Sequence, residues 1–206
     1  ISKIVKSFIN DVVLNLRINS YTKMIKNMNQ SKLKEGLIQV YTGNGKGKTT
    51  AALGLALRAI GHDLKVIIIQ FMKGSKNYGE VKAINKYLPQ IKIEQYGLTS
   101  FVDKNNPSKK DIELAQNGLK RARRAIFSQL YDIVILDEIN VAMDFNLISV
   151  EDILQLIEDK PPSVELVLTG RYVPEKIIEK ADLVSEVKEI KHWFKKGVDT
   201  RKGIEY

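Results

Sequence analysis

Along this chain of 206 residues the apolar positions follow two alternating patterns. Leu37–Tyr41, Leu64–Gln70, Tyr131–Leu136 and Val164–Thr169 are short β-prone runs, apolar at nearly every position. Such runs predict strands of a parallel sheet covered on both faces. Ile91–Gln95 alternates like a shorter strand, and Leu183–Val187 makes the last one. Between the strands lie segments built from helix formers. Ala51–Ile60 is stopped by Gly61, and Glu80–Leu88 is ended by Pro89. A long helix is expected from Ser108 to about Leu130, another over Val150–Asp159 before Pro161 and Pro162, and a short one from Pro174 to Lys180. Ser108 and Ser149 stand as N-caps, Ser108 with Asp111 at the third helical position. Strand and helix alternate throughout, so the fold class is α/β: one doubly wound, mostly parallel sheet with right-handed crossovers.

The first 35 residues read differently. Ile4, Val5, Phe8, Ile9, Val12 and Val13 recur at roughly helical spacing and predict one amphipathic face. We therefore expect an N-terminal basic arm over residues 1–35 and one domain over residues 36–206. Residues 1–27 read equally as a docking arm or as an extension upstream of a start at Met28. No internal repeat or low-complexity linker divides the rest.

Charge changes the picture little. The formal net charge is +9, and residues 1–35 hold +5 of it. A basic balance can serve nucleic acid or an anionic surface, but the interleaved Gly and aromatics of RNA-binding segments are missing. There is no cysteine, which excludes disulfides, thiolate metal sites and a cysteine nucleophile. No apolar run approaches the roughly 20 residues that span a bilayer, and no secretory signal is evident. A cytoplasmic enzyme without membrane or nucleic-acid partners is the default expectation.

The chemistry concentrates at two strand ends. Leu37–Tyr41 runs into Thr42-Gly-Asn-Gly-Lys-Gly-Lys-Thr-Thr50 and then into a helix. Strand, Gly-rich turn, Gly-Lys-Thr and helix are the context of a phosphate-binding P-loop. Gly43, Asn44, Gly45, Lys46, Gly47, Lys48, Thr49 and Thr50 are the candidate phosphate ligands. Small residues let backbone N–H groups curl around phosphate oxygens, and the helix N-terminus adds partial positive charge. Lys48 adds a full charge, and the Thr49 hydroxyl can ligate Mg²⁺. The spacing departs from the usual motif: Thr42 stands where the first glycine belongs, and Lys46 is an extra cation.

Roughly 90 residues on, Tyr131-Asp-Ile-Val-Ile-Leu-Asp-Glu138 ends a buried strand in two acids. That is a Walker B arrangement, which puts Asp137 at the carboxyl edge where ligands sit in open α/β sheets. Thr49, Asp137 and Glu138 are the candidate metal ligands. Arg171, just after Val164–Thr169, either reaches an anion or is a surface residue. Lys120, Arg121, Arg123 and Arg124 read as a solvated face complementing the helix dipole. His192, beside Trp193, reads as a packing residue and not a base.

Several strings together resemble the ATP:corrinoid adenosyltransferases of the CobA/CobO/BtuR type. They are the P-loop through Ala52, Gln70-Phe71, Lys73-Gly74, Gly79-Glu80, Leu136-Asp-Glu138, Leu168-Thr-Gly-Arg171, Ala181–Glu186, Lys191-His192 and the ending Lys202-Gly-Ile-Glu-Tyr206. The resemblance runs in order over about residues 36–206. It implies a RecA-like P-loop fold, commonly homodimeric. It also implies transfer of the 5′-deoxyadenosyl group of ATP to a reduced corrinoid, cob(I)alamin or cobyrinic acid a,c-diamide, with loss of triphosphate. Mg²⁺ or Mn²⁺ and a corrinoid-reducing flavoprotein or other reductant are implied with it, and so is an ATP held with its γ-phosphate end in the loop. The cobalt is itself the nucleophile, so the catalytic burden falls on Lys48, Lys46 and Glu138 around the triphosphate and on Phe101 beside the corrinoid. Phe101 matches an aromatic of the family's Gly-Phe-Thr-Trp-like run, whereas Asp103 stands where the Trp would. Two other readings remain at this point: an ATPase or kinase of the same fold with Glu138 as base, and a nucleotide-dependent nucleic-acid-binding module.

Overall fold

The computed structural model describes residues 33–206, so the expected amphipathic face of the arm lies outside the described residues. The elements follow in the order β1 (Ile38–Thr42), α1 (Lys48–Ile60), β2 (Val66–Phe71), α2 (Gly79–Tyr87), β3 (Ile91–Tyr96), α3 (Lys109–Ser128) and β4 (Ile133–Asp137). Then come α4 (Ile139–Asp144), α5 (Val150–Glu158), β5 (Glu165–Thr169), α6 (Glu175–Lys180), β6 (Leu183–Glu186) and a 3₁₀ turn at Trp193–Lys196. The sheet order is β3-β2-β4-β5-β1-β6. Every pairing among the described strands is parallel, so the sheet is wholly rather than mostly parallel.

The continuous apolar runs become strands because both faces are covered. All six residues of β2 are buried. Successive side chains point to opposite faces, so Ile67, Ile69 and Phe71 join Val134, Leu136, Leu166 and Leu168 under α3, α4, α5 and α6. Val66 and Ile68 join Ile133, Ile135 and Val167 under α1 and α2. The buried stripe of α1 is Ala52, Ala56 and Ala59, so this helix meets the sheet through methyl groups. Fully burying one of the Ile or Leu side chains contributes about 1.5–3 kcal/mol.

The capping signals hold. Asp111 N donates to Ser108 Oγ at 3.1 Å and Ser108 N to Asp111 Oδ2 at 3.1 Å, a reciprocal box. Asp152 N donates to Ser149 Oγ at 3.1 Å. The basic cluster of α3 departs from the solvated face expected of it. Arg121 grips both carboxylate oxygens of Glu94 on β3 at 3.0 Å, and Arg123 donates to the Asp152 carbonyl at 3.1 Å. Two of the four cations thus fasten α3 to its neighbours.

One consequence of the strand order matters for the site. β5 lies between β1, which feeds the Gly-rich loop, and β4, which ends in the acids. The last residue of β5, Thr169, therefore stands beside Asp137, with its Oγ1 2.7 Å from Asp137 Oδ1.

Candidate nucleotide site at the carboxyl edge

The Gly-rich loop leaves β1 after Thr42. That residue is still in the strand: it pairs with Glu186 of β6, and its carbonyl accepts from Val187 N at 2.8 Å. Hence the usual first glycine position holds threonine, and the turn begins at Gly43 (φ +95°). Gly45 N donates to the Val187 carbonyl at 2.7 Å. A Cβ on Gly43 would lie 2.5 Å from the Val187 carbonyl oxygen, and one on Gly45 2.7 Å from that of Lys188. The loop is pressed against the backbone leaving β6, and only glycine tolerates that approach.

Lys48 opens α1 and is buried. Its Nζ donates to the carbonyls of Gly43 at 2.7 Å and Gly45 at 2.8 Å, so the ammonium caps the loop from inside. Burial pulls its pKa down, and the Arg171 charge adds to this against Glu138 and Asp137.

Asp137 is the hub of the site and is fully buried. Its Oδ1 accepts from Thr49 Oγ1 at 2.9 Å and Thr169 Oγ1 at 2.7 Å, and its Oδ2 from Lys73 Nζ at 2.7 Å and Gln70 Nε2 at 3.1 Å. Gln70 is itself held by Gln95 Nε2 at 3.0 Å. Burial alone would raise the Asp137 pKa. The Lys73 charge and the hydrogen bonds from Lys73, Thr169 and Thr49 outweigh it and hold the carboxyl below its usual range. Glu138 moves the other way. Burial first, then the Asp137 charge, raises its pKa against the pull of Lys73, Lys48 and Arg171. Its backbone is left-handed at φ +63°, and its N–H donates to Thr169 Oγ1 at 3.1 Å. Met72, Glu138 and Tyr172 all take positive φ just beyond β2, β4 and β5, so backbone strain gathers along this edge.

One hydroxyl and two carboxylates form a hard oxygen set that fits Mg²⁺ or Mn²⁺. Among the described residues no group of three or more His, Cys, Asp or Glu forms a metal cluster. A cation here would take its other ligands from phosphate and water.

A cavity of about 520 Å³ opens above these groups. Gly45 to Thr50 form one wall, Lys73, Glu138 and Arg171 the floor, and the C-terminal tail the opposite wall, with Trp193, Ile204 and Tyr206. Lys46 Nζ donates to the Ile204 carbonyl at 3.2 Å and lies 5.7 Å from the Trp193 ring, while Arg201 covers the same ring at 5.1 Å. Asn44 turns away. With Arg171, Tyr172 and Glu186 it lines a second cavity, and Arg171 belongs to both. Gly43 contributes its carbonyl to Lys48 but does not line the first cavity. Phe101 stands apart from both, wholly exposed. Its loop is fastened by Lys104, whose Nζ meets Asp144 at 2.6 Å and lies 5.5 and 5.6 Å from the Phe145 and Tyr172 rings.

Lys73, Gln70 and Thr169 were not singled out as site residues by sequence. Two left a signal: Gln70 and Thr169 are polar residues at the carboxyl ends of apolar strands. Lys73 stood in sequence only within the Lys73-Gly74 string of the resemblance, and only the fold brings it to Asp137.

The opposed shifts give a testable sign. A group whose folded pKa is raised contributes stability below its unfolded pKa and loses it as pH rises through the folded one. Glu138→Gln keeps the neutral form, so this variant should melt higher than the wild type at pH 7–8. The gap should close as pH falls below the ordinary glutamate range. Thermal melts across pH check this.

Loop, acids and parallel sheet define a P-loop nucleotide-binding protein. The KaiC-like protein PH0186 of Pyrococcus horikoshii OT3 shares the fold, with a TM-score of 0.51 at 21% identity over 76% of this chain and 75% of that one. The family model for the ATP:corrinoid adenosyltransferases BtuR/CobO/CobP matches residues 34–206. A corrinoid adenosyltransferase of Sinorhizobium sp is 36% identical over 175 residues, covering 84% of this chain and 81% of its own. That of Escherichia coli (strain K12) is 35% identical, covering 86% and 89%, and the Salmonella typhimurium enzyme CobA 33%, covering 86% and 89%. The chain belongs to the ATP:corrinoid adenosyltransferase family, and it is a transferase.

Proposed function

We propose that this enzyme transfers the 5′-deoxyadenosyl group of ATP to the cobalt of a reduced corrinoid and releases triphosphate. The observation that carries the reading is the convergence of Lys46, Lys48, Arg171 and the N–H groups of the loop on one cavity that also holds the Glu138 carboxylate. Four positive or partly positive elements around one space suit a leaving group that holds several negative charges.

The step balances simply. The cobalt electron pair attacks C5′, a Co–C bond forms, the C5′–O bond breaks, and the triphosphate departs with the bonding pair. No side-chain nucleophile is required. The chain's residues orient the nucleotide and offset charge on the departing oxygens. Lys48 shifts its ammonium from the loop carbonyls to phosphate oxygens. Lys46 braces the tail that closes the opposite wall, and Gly43, Asn44, Gly45, Gly47 and Thr50 shape the loop. A divalent cation, Mg²⁺ or Mn²⁺, would be held on the edge formed by Thr49, Asp137 and Glu138 and would neutralise part of the triphosphate charge.

The corrinoid is placed over the carboxyl edge near Phe101. Because Phe101 is fully exposed, its loss should leave the fold intact. Phe101→Ala should raise KM for the corrinoid roughly tenfold, the scale of one aromatic contact, with ATP affinity unchanged. Steady-state titration of each substrate separates the two. A domain over residues 36–206 with a separate basic arm, a homodimeric state, a cytoplasmic location and an external corrinoid reductant complete the proposal. Among the described residues no helix is long and apolar enough to cross a membrane.

The experiment is incubation with chemically reduced cobalamin, ATP and Mg²⁺, followed by the visible spectrum. Adenosylcobalamin, formed only when all three are present, supports the reading. ATP consumption without corrinoid dependence would favour an ATPase or kinase with Glu138 as base.

A further inference from the structure

The two acids at the end of β4 are not equivalent. Asp137 accepts four hydrogen bonds, two on each oxygen. No hydrogen bond from a described residue reaches the Glu138 carboxylate. Among the four donors on Asp137, Lys73 alone is charged. Its Nζ lies 2.7 Å from Asp137 Oδ2 and 3.5 Å from Thr49 Oγ1, with the side chains 16% and 1% exposed for Lys73 and Asp137.

The position of Lys73 is built into the backbone. Met72, before it, is left-handed at φ +56°, and its N–H donates to the Tyr96 carbonyl at 3.1 Å. Gly74, after it, packs so tightly that a Cβ would sit 2.3 Å from the Gly97 carbonyl oxygen. The ammonium also lies 5.9 Å over the Tyr78 ring. Backbone, ring and carboxylate together leave it one place to be.

A divalent ion on Asp137 Oδ2 would meet this ammonium at hydrogen-bond distance, like charge against like charge. The Thr49 hydroxyl donates its proton to Asp137 Oδ1 and, beside the 3.5 Å contact from Lys73 Nζ, keeps a lone pair for another partner. We infer that Lys73 is a positioning residue: a resident cation that neutralises Asp137, reserves it as the acceptor that orients Thr49, and leaves Glu138 as the carboxylate that takes the divalent ion. This rests on the nucleotide-and-metal reading of the site. It narrows that reading, because Asp137 then orients a ligand and does not coordinate the metal itself.

The test is Mn²⁺ binding to the full chain with saturating ATP, counted by electron paramagnetic resonance, which needs no corrinoid and no turnover. The Lys73→Met/Asp137→Asn double variant removes both charges together, so no buried charge is left alone. It should bind Mn²⁺ within about threefold of wild type, and Glu138→Gln should bind at least tenfold more weakly. Lys73→Met alone frees Asp137 and should bind Mn²⁺ about tenfold more tightly without nucleotide, while Lys73→Arg should behave like wild type. If the double variant loses Mn²⁺ as Glu138→Gln does, Asp137 is a ligand and the inference is overturned. If the single variant does not fold, the comparison of the double variant with Glu138→Gln decides alone. A wild-type chain that binds no Mn²⁺ with ATP would overturn the metal reading of the whole site instead.

Discussion

Lys48→Ala should lower turnover by about 10²- to 10³-fold, the scale seen when one preorganised charge stabiliser is removed from a reacting centre. Lys48 is only 8% exposed, so its charge acts in a medium that screens weakly. Its ammonium is held by two loop carbonyls, at 2.7 and 2.8 Å, from which it can pass to phosphate oxygens. Alanine removes the charge and leaves those carbonyls without their donor. The loop itself stays anchored through Gly45 and Val187, so the circular dichroism spectrum should be nearly unchanged. Single-turnover rates with saturating ATP measure the effect. A variant within threefold of wild type would contradict the placement of the triphosphate against this wall.

Asp137→Ala should be the most destabilising single change at the site. It removes the acceptor of four hydrogen bonds and leaves the Lys73 ammonium without its anion. Breaking a buried pair from one side costs about 3–5 kcal/mol. In a domain of this size each kcal/mol moves the melting temperature by roughly 2–4 °C, so the loss is on the order of 10 °C. The pH dependence has a definite sign. A depressed carboxyl pKa contributes stability above its unfolded value and loses it as pH falls through the folded one. The wild-type advantage over Asp137→Ala should therefore be full at neutral pH and shrink on acidification below the usual aspartate range. Differential scanning calorimetry across pH reads both the size and the direction.

Most of the fold was legible because the strongest signals are local. A continuous apolar run such as Val66–Phe71 has few alternatives to a doubly covered strand. Ser108 with Asp111 marks a helix start whatever surrounds it. The short helix α4 carried no such signal. Its N-cap, Glu138, makes no side-chain cap bond and is left-handed, so the helix exists because the chain must turn sharply off β4. While Lys120 and Arg124 of α3 keep to the expected solvated face, Arg121 and Arg123 depart from it for a similar reason. Their partners, Glu94 and Asp152, lie 27 and 29 residues away and meet them only through the packing of α3.

The site divides along the same line. The Gly-rich loop and the acid pair were visible as motifs, and even the misplaced glycine now has a cause in the pairing of Thr42 with β6. The C-terminal wall was marked only by the resemblance of Lys191-His192 and of its last five residues. Lys73 carried no role of its own in the sequence and Thr169 only the mark of a polar strand end, because what makes them matter is the strand order that brings β2, β4 and β5 to one edge. Phe101 was singled out as a contact residue, and the structure places it on an exposed loop outside the two cavities that flank the Gly-rich loop.

The central claim is that one wall of this cavity holds all three phosphoryl groups and releases them joined. Phosphorus NMR of the reaction with ATP, Mg²⁺ and reduced cobalamin tests it most directly. The account predicts the resonances of free tripolyphosphate, growing in step with adenosylcobalamin. Resonances of ADP and inorganic phosphate in its place would contradict it.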